Sequence, residues 1–267
     1  MSRLLSADLS DNGIEEWDVD EAWCAVIGEL AAVVDDCNLR CNRLGVQGWC
    51  GLLDVLVDRA EAPANTRWDL DNEGVKPEIA RALGALLSRC PALHTLDLHD
   101  NPALGPEGAE LLAPGIATSS SLQTLNLHGC GLGAEGINRL SAAVGRSRSL
   151  QTLLLMHNRL TAEGAAAIGH AASESTTLTE LDLSFNELGP AGGRALAKGI
   201  GKGTALVILR VAANELAVGG AAVLAAALQC TQALRECDAR WNNLDEGSKV
   251  ALRQESEKQQ FPMTWVL

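Results

Sequence analysis

The residues of this chain best suited to chemistry are His99 and His128, which stand 29 residues apart. Asp97 and Asp100 flank the first, and His157 lies a further 29 residues on. Imidazole and carboxylate are zinc ligands, and a zinc site needs three or four of them converging on one point. If positions 29 apart sit on neighbouring strands, they are roughly 5 Å apart. Side chains stacked along a flat sheet diverge more than they converge, so neither a metal nor another cofactor is expected. The cysteines form no clamp either. Cys37 and Cys41 are four apart, but the first faces a core and the second leaves a strand. Cys130 and Cys237 take packing positions. The run Gly199, Gly201, Lys202, Gly203 fails as a phosphate loop. Gly203 stands where Ser or Thr must follow the lysine, and the run follows a helix, whose carbonyl end repels phosphate. There is no G-x-S-x-G and no H-E-x-x-H motif. No catalytic residue is expected, and the chain is not read as an enzyme.

These side chains all hang from one repeated pattern. In Leu178 to Leu188, LTELDLSFNEL, leucine takes the first, fourth, sixth and eleventh places and Asn186 the ninth. Nine copies follow the chain. Measured at the sixth place they run Leu9, Leu39, Leu70, Leu98, Leu127, Leu155, Leu183, Val211 and Ala239, at spacings of 28 to 31 residues. Such self-similarity outranks any reading as a conventional domain. The fourth copy reads Leu93, Leu96, Leu98, Asn101, Ala103. In the third, Glu73 replaces the asparagine, which puts an irregularity there. Between the strand motifs, Leu140, Ile168, Leu196, Leu224 and Leu252 mark the apolar face of a helix, with partners four residues on at Val144, Ala172, Ile200 and Leu228. Gly136, Gly164, Gly192 and Gly220 recur inside these helices. Each costs about 1 kcal/mol against alanine, so a packing reason is expected, namely a close pass over the strand layer.

The motif LxxLxLxx(N/C)xL, followed by a helix with spaced Gly and Leu in units of 28 to 29, resembles the leucine-rich repeat, specifically its ribonuclease-inhibitor-like class. The resemblance covers nearly the whole chain. It implies an α/β solenoid of about nine repeats, a curved parallel sheet on the concave side and helices on the convex side. It also implies that the ninth-place Asn or Cys satisfies backbone groups in the turn. One domain over 1–267 is expected: irregular acidic repeats over 1–92, regular ones over 93–244, and a C-terminal helix and cap over 245–267. FPMTWVL, Phe261 to Leu267, reads as a short final strand or apolar cap.

Hydrophobic residues make up 47% of the 267 and aromatics 3%, so the core must be aliphatic. Residues 1–110 hold 21 acidic and 8 basic side chains, which is the whole of the net charge of −13. An acidic face repels nucleic acid and could steer a basic protein partner. No secretory signal or membrane-spanning run is read, and with eight cysteines the expectation is a reduced, intracellular, cytoplasmic protein. The first motif begins at Leu4 with no room for a cap, so its strand edge is expected to be covered by a partner or a second copy.

The fifth, seventh and eighth places of each copy should face outward. They supply the candidate partner-binding residues Asp69, Asp97, His99, His128, Leu154, Met156, His157, Asp182, Phe185, Arg210, Asp238, Arg240 and Trp241. The set is acidic first, histidine-bearing next, and partly apolar from the sixth copy onward. Leu154, Met156, Phe185 and Trp241 are expected to be exposed anchors of a contact surface. The function expected is a protein-protein interaction module, a scaffold or subunit of a larger cytoskeletal, ciliary or organellar assembly. The alternative is a regulator resembling ribonuclease inhibitor or a Ran GTPase activator, with Asn42-Arg43 as the activator's loop residues.

Overall fold

The computed structural model describes residues 6–10, 12, 14, 20, 22–27, 36–38, 44–58, 67–201, 204–228, 231, 233–257 and 264–267. Leu4, Leu39, Cys41, Asn42-Arg43, Lys202, Gly203 and Phe261, named above, lie outside them. Within the described residues, ten short strands form one parallel sheet in chain order: β1 (Ser6–Asp8), β2 (Asp36–Asn38), β3 (Arg67–Asp69), β4 (Thr95–Asp97), β5 (Thr124–Asn126), β6 (Thr152–Leu154), β7 (Glu180–Asp182), β8 (Ile208–Arg210), β9 (Glu236–Asp238) and β10 (Thr264–Val266). The helices between them are α1 (22–27), α2 (Gly45–Asp58), α3 (Pro77–Arg89), α4 (Gly105–Thr118), α5 (Gly133–Arg146), α6 (Thr161–Glu174), α7 (Gly189–Ile200), α8 (Ala217–Leu228) and α9 (Glu246–Glu257). Neighbouring strands need about 4.8 Å and neighbouring helices about 8–10 Å. A stack of strand–helix units must therefore arc, with the sheet on its inner, concave side.

Register follows the motif. Leu96, Leu125, Leu153, Leu181, Leu209 and Cys237 sit level across the sheet, all buried. The core is aliphatic as expected, except at Trp265 and where Trp49 and Trp68 meet with ring centroids 6.3 Å apart. β10 extends the sheet by one strand and buries Trp265, so the tail continues the stack rather than folding across its face.

The ninth-place side chains hold the turns. The Asn186 amide donates to the carbonyls of Leu155, Leu183 and Ser184 at 2.8, 2.9 and 3.2 Å. Its oxygen accepts the Asn158 N–H at 2.8 Å. Asn101, Asn158, Asn214 and Asn242 repeat the arrangement. Cys130 substitutes with a thiol donating to Leu98 O at 3.0 Å. Burial pushes that thiol's pKa up to about 12, so it stays a donor. Glu73 leaves the following side intact: Asn101 takes the Leu70 carbonyl and the Val75 N–H, and β3 pairs with β4 in full register.

Two expectations need correction. In the fourth unit the buried turn residue is Leu104, while Ala103 is exposed. This unit is one residue longer, and the extra residue is absorbed in the exposed turn at Pro102-Ala103. The helix glycines do not approach the strand layer. A Cβ on Gly192 would lie 2.6 Å from Leu188 Cβ and 3.4 Å from Ala162 Cα, and one on Gly220 would lie 2.8 Å from Pro190 Cα. The reason for glycine is the first turn of the preceding helix and the unit's own eleventh-place leucine.

Asn186→Ala strands the buried Asn158 N–H, while the carbonyls of Leu155, Leu183 and Ser184 each lose one of two donors and keep the Asn158 amide, the Asn214 amide and the His157 N–H respectively. One unsatisfied buried group and three weakened acceptors set a loss of about 1–3 kcal/mol. A urea midpoint lowered by less than about 1 kcal/mol equivalent would contradict this reading of the turn. Thr161 opens α6 at φ 57°, where four other units have Gly45, Gly105, Gly133 and Gly189. Relief of the left-handed strain at this β-branched residue exceeds the entropy cost of glycine. Thr161→Gly is therefore expected to stabilise by about 0.5–1 kcal/mol, and a lowered urea midpoint would count against it.

Candidate partner-binding face

The concave face is set by backbone geometry at the strand exits. At the eighth place Asn72, Asp100, His157, Phe185, Ala213 and Trp241 all have φ between 52° and 59°. In this left-handed conformation the side chain swings to the rim where the sheet ends. Bulky residues are costly there. His157, Phe185 and Trp241 at this place, with His99 and His128 at the seventh, form a row of rings crossing the units. His99 and His128 stand 6.2 Å apart between centroids, His128 and His157 5.0 Å, His157 and Phe185 4.5 Å, and Phe185 and Trp241 6.1 Å. His157 and Phe185 are nearly parallel, at 15°. Trp241 reaches Phe185 past Ala213, which offers no ring. Its own face carries the Arg240 guanidinium at 5.1 Å.

The acidic end is more neutralised than its composition suggests. Arg67 pairs with Asp69 at 3.1 Å. His99 lies between two carboxylates, with Nδ1 2.9 Å from Asp97 and Nε2 2.8 Å from Asp71. Burial pulls the His99 pKa down, but the Asp97 hydrogen bond and the charges of Asp97, Asp71 and Asp100 outweigh it, so the net shift is upward. His128 goes the other way: burial lowers it, helped by His157 and His99, against the Asp100 carboxylate. Arg210 is the positive centre of the far half. It bonds Glu180, with Asp182 and Glu236 nearby, and these carboxylates raise its pKa against the effect of burial.

Several expected residues therefore play different parts. Phe185 and Trp241 are exposed, at 37% and 66%, as a contact surface requires. His157 is exposed beside them. Leu154 and Met156 are half-buried rather than free anchors. Asp182 and Asp238 are only 6% and 5% exposed. Asp182 accepts the Ser184 N–H at 2.9 Å, and Asp238 holds the Arg240 guanidinium at 3.0 and 2.7 Å. These two aspartates are committed to their own turns, because a fifth-place carboxylate reaches the seventh-place N–H. Asp97 does the same for His99 N at 3.2 Å. Missing from the expected set were Glu180, the partner of Arg210, and Asp71, the partner of His99. Asp71 could have been found from its seventh place, level with His99.

A family model described as Leucine Rich repeat matches residues 89–113, 118–141, 146–169 and 174–197. Residues 89–197 carry four consecutive leucine-rich repeats. No curated protein matches this leucine-rich-repeat chain in sequence. Among solved structures it is similar to leiomodin-1 actin-binding site 2, at 17% identity and TM-score 0.44, over 78% of this chain and 95% of that one. It is also similar to a chain of the Rad7 and Elc1 complex in yeast, at 16% identity and TM-score 0.45, over 98% of this chain and 67% of that one. Among the described residues, no helix is long and apolar enough to cross a membrane.

The Arg240–Asp238 pair gives a pH signature. Burial raises the Asp238 pKa, but the Arg240 hydrogen bonds and charge pull it below the ordinary value. A depressed carboxylate pKa contributes stability above the unfolded value, about pH 4, and loses it as pH falls further. In Arg240→Met the side-chain hydrogen bonds and charge are lost while the backbone N–H of residue 240 and Arg210 remain, so the carboxylate's contribution at neutral pH shrinks. The variant's urea midpoint is expected to fall below wild type at pH 7, with the gap closing toward about pH 3. A gap constant across that range would show that Arg240 acts through packing alone.

Proposed function

We propose that this protein is a non-enzymatic protein-interaction module that binds a protein partner through its concave face, as a scaffold or subunit of a larger assembly. The observation that carries this is the ring row ending in exposed Phe185 and Trp241, held at backbone positions where a smaller residue is favoured. Large aromatic side chains presented at low entropic cost are the usual centres of interface energy. A basic segment of the partner would meet the rim at Asp100, whose side chain is 57% exposed. We assign the repeats to the ribonuclease-inhibitor-like class, supported by full helices of 12 to 14 residues from α2 to α9. We also propose an intracellular, cytoplasmic setting, supported by the free thiols of Cys24, Cys50, Cys90, Cys130 and Cys237.

Native co-purification followed by identification of bound chains supplies the partner, and titration with that purified partner tests the face. Phe185→Ser with Trp241→Ser is expected to weaken binding by about tenfold or more while far-UV circular dichroism stays unchanged. Unaltered affinity in the folded double variant would overturn the concave-face reading.

A further inference from the structure

We propose a zinc-binding site on the concave face, built from Asp71, His99 and Asp100 with His128 as fourth ligand. It joins the exits of β3, β4 and β5. One ligand atom from each of Asp71, His99 and Asp100 lies within 4.8 Å of the others. His128 Nε2 is 3.8 Å from Asp100 Oδ1. Zinc bonds of about 2.0–2.2 Å in a tetrahedron set ligand atoms about 3.4 Å apart. The 2.8 Å between His99 and Asp71 is shorter than that value, and His128 stands outside the 4.8 Å group, so the Asp71 carboxylate must draw back and the His128 ring turn inward for the ion to seat.

Stacked side chains converge at this point for a structural reason. Asp100 is in the left-handed conformation, which turns its carboxylate toward the next unit. That unit has Gly129 at the matching place, and a Cβ there would lie 2.5 Å from Asp100 Oδ1. The missing side chain is the space the carboxylate occupies. His99 is also oriented as a metal ligand is oriented. Its Nδ1 is held by Asp97 at 2.9 Å, leaving Nε2 to face Asp71. Carboxylate, imidazole and metal in that order are the usual outer support of a zinc histidine. At 2.8 Å the contact of His99 Nε2 with the Asp71 carboxylate holds a proton, which zinc would displace as the two atoms separate. Two imidazoles with two carboxylates favour zinc over magnesium or calcium, which prefer oxygen alone.

The test uses the full chain purified without a metal-affinity tag, stripped with chelator and dialysed against zinc. One zinc per chain is expected. Cobalt in place of zinc is expected to give the intense visible band of a tetrahedral site. Asp71→Asn, His99→Gln and His128→Gln are each expected to weaken zinc binding about tenfold or more, and His94→Gln and His170→Gln to leave it unchanged. The first three alter half-buried surface groups, and circular dichroism checks each variant's fold. Stoichiometry far below one, an octahedral cobalt spectrum, or equal zinc retention by folded Asp71→Asn and His99→Gln would overturn the site.

Discussion

One side-chain amide in the turn after each strand is the contact on which the rest depends. A three-residue strand cannot satisfy the backbone that leaves it, and that backbone is buried against the next unit. The asparagine at the ninth place supplies donors to its own unit and to the one before, and an acceptor to the one before. It therefore fixes the turn and the spacing of units together. Because each unit satisfies its neighbour, the energetics are those of a one-dimensional array. Cys130 shows how little the role requires: one donor in the right place keeps β5 in register with both neighbours.

The fixed turn has a cost that becomes the basis of the binding face. It forces left-handed backbone at the eighth place in unit after unit, whatever residue stands there. Glycine, asparagine and aspartate accept this readily, and Gly129, Asn72 and Asp100 are examples. Histidine is also enriched there, as at His157, but Phe185 and Trp241 are not favoured, yet they occupy the place in the half of the stack where the rings are most exposed. Strain retained at a surface position is better explained by what the side chain contacts than by the fold.

Charge on this face is local and largely paired. Asp69, Asp97, Asp182 and Asp238 accept from the N–H two residues on or from a nearby cation. What remains open to a partner is a smaller set: Asp100 at the acidic end, His157, and the Phe185–Trp241 edge. The acidic composition of the N-terminal part overstates the field that a partner would meet.

The sequence by itself determined the repeat, its period, the parallel sheet with helices outside it, the aliphatic core and the turn asparagines. These follow from residue periodicity, and a solenoid's contacts join equivalent places of adjacent units. The same logic assigned residues to the face by their place in the motif. It failed where geometry between places mattered. Asp182 and Asp238 were read as exposed because alternation on a strand says nothing about a carboxylate bending to its own turn. Leu104 was misplaced by one because an inserted residue is invisible until the turn is drawn. The helix glycines were referred to the wrong neighbour, since periodicity does not give the distance between helices. Only the tertiary structure decided that Asp71, His99 and Asp100 draw together, with His128 beside Asp100. That convergence depends on left-handed backbone at Asp100 and on an empty Cβ position at Gly129, neither of which a strand pattern contains.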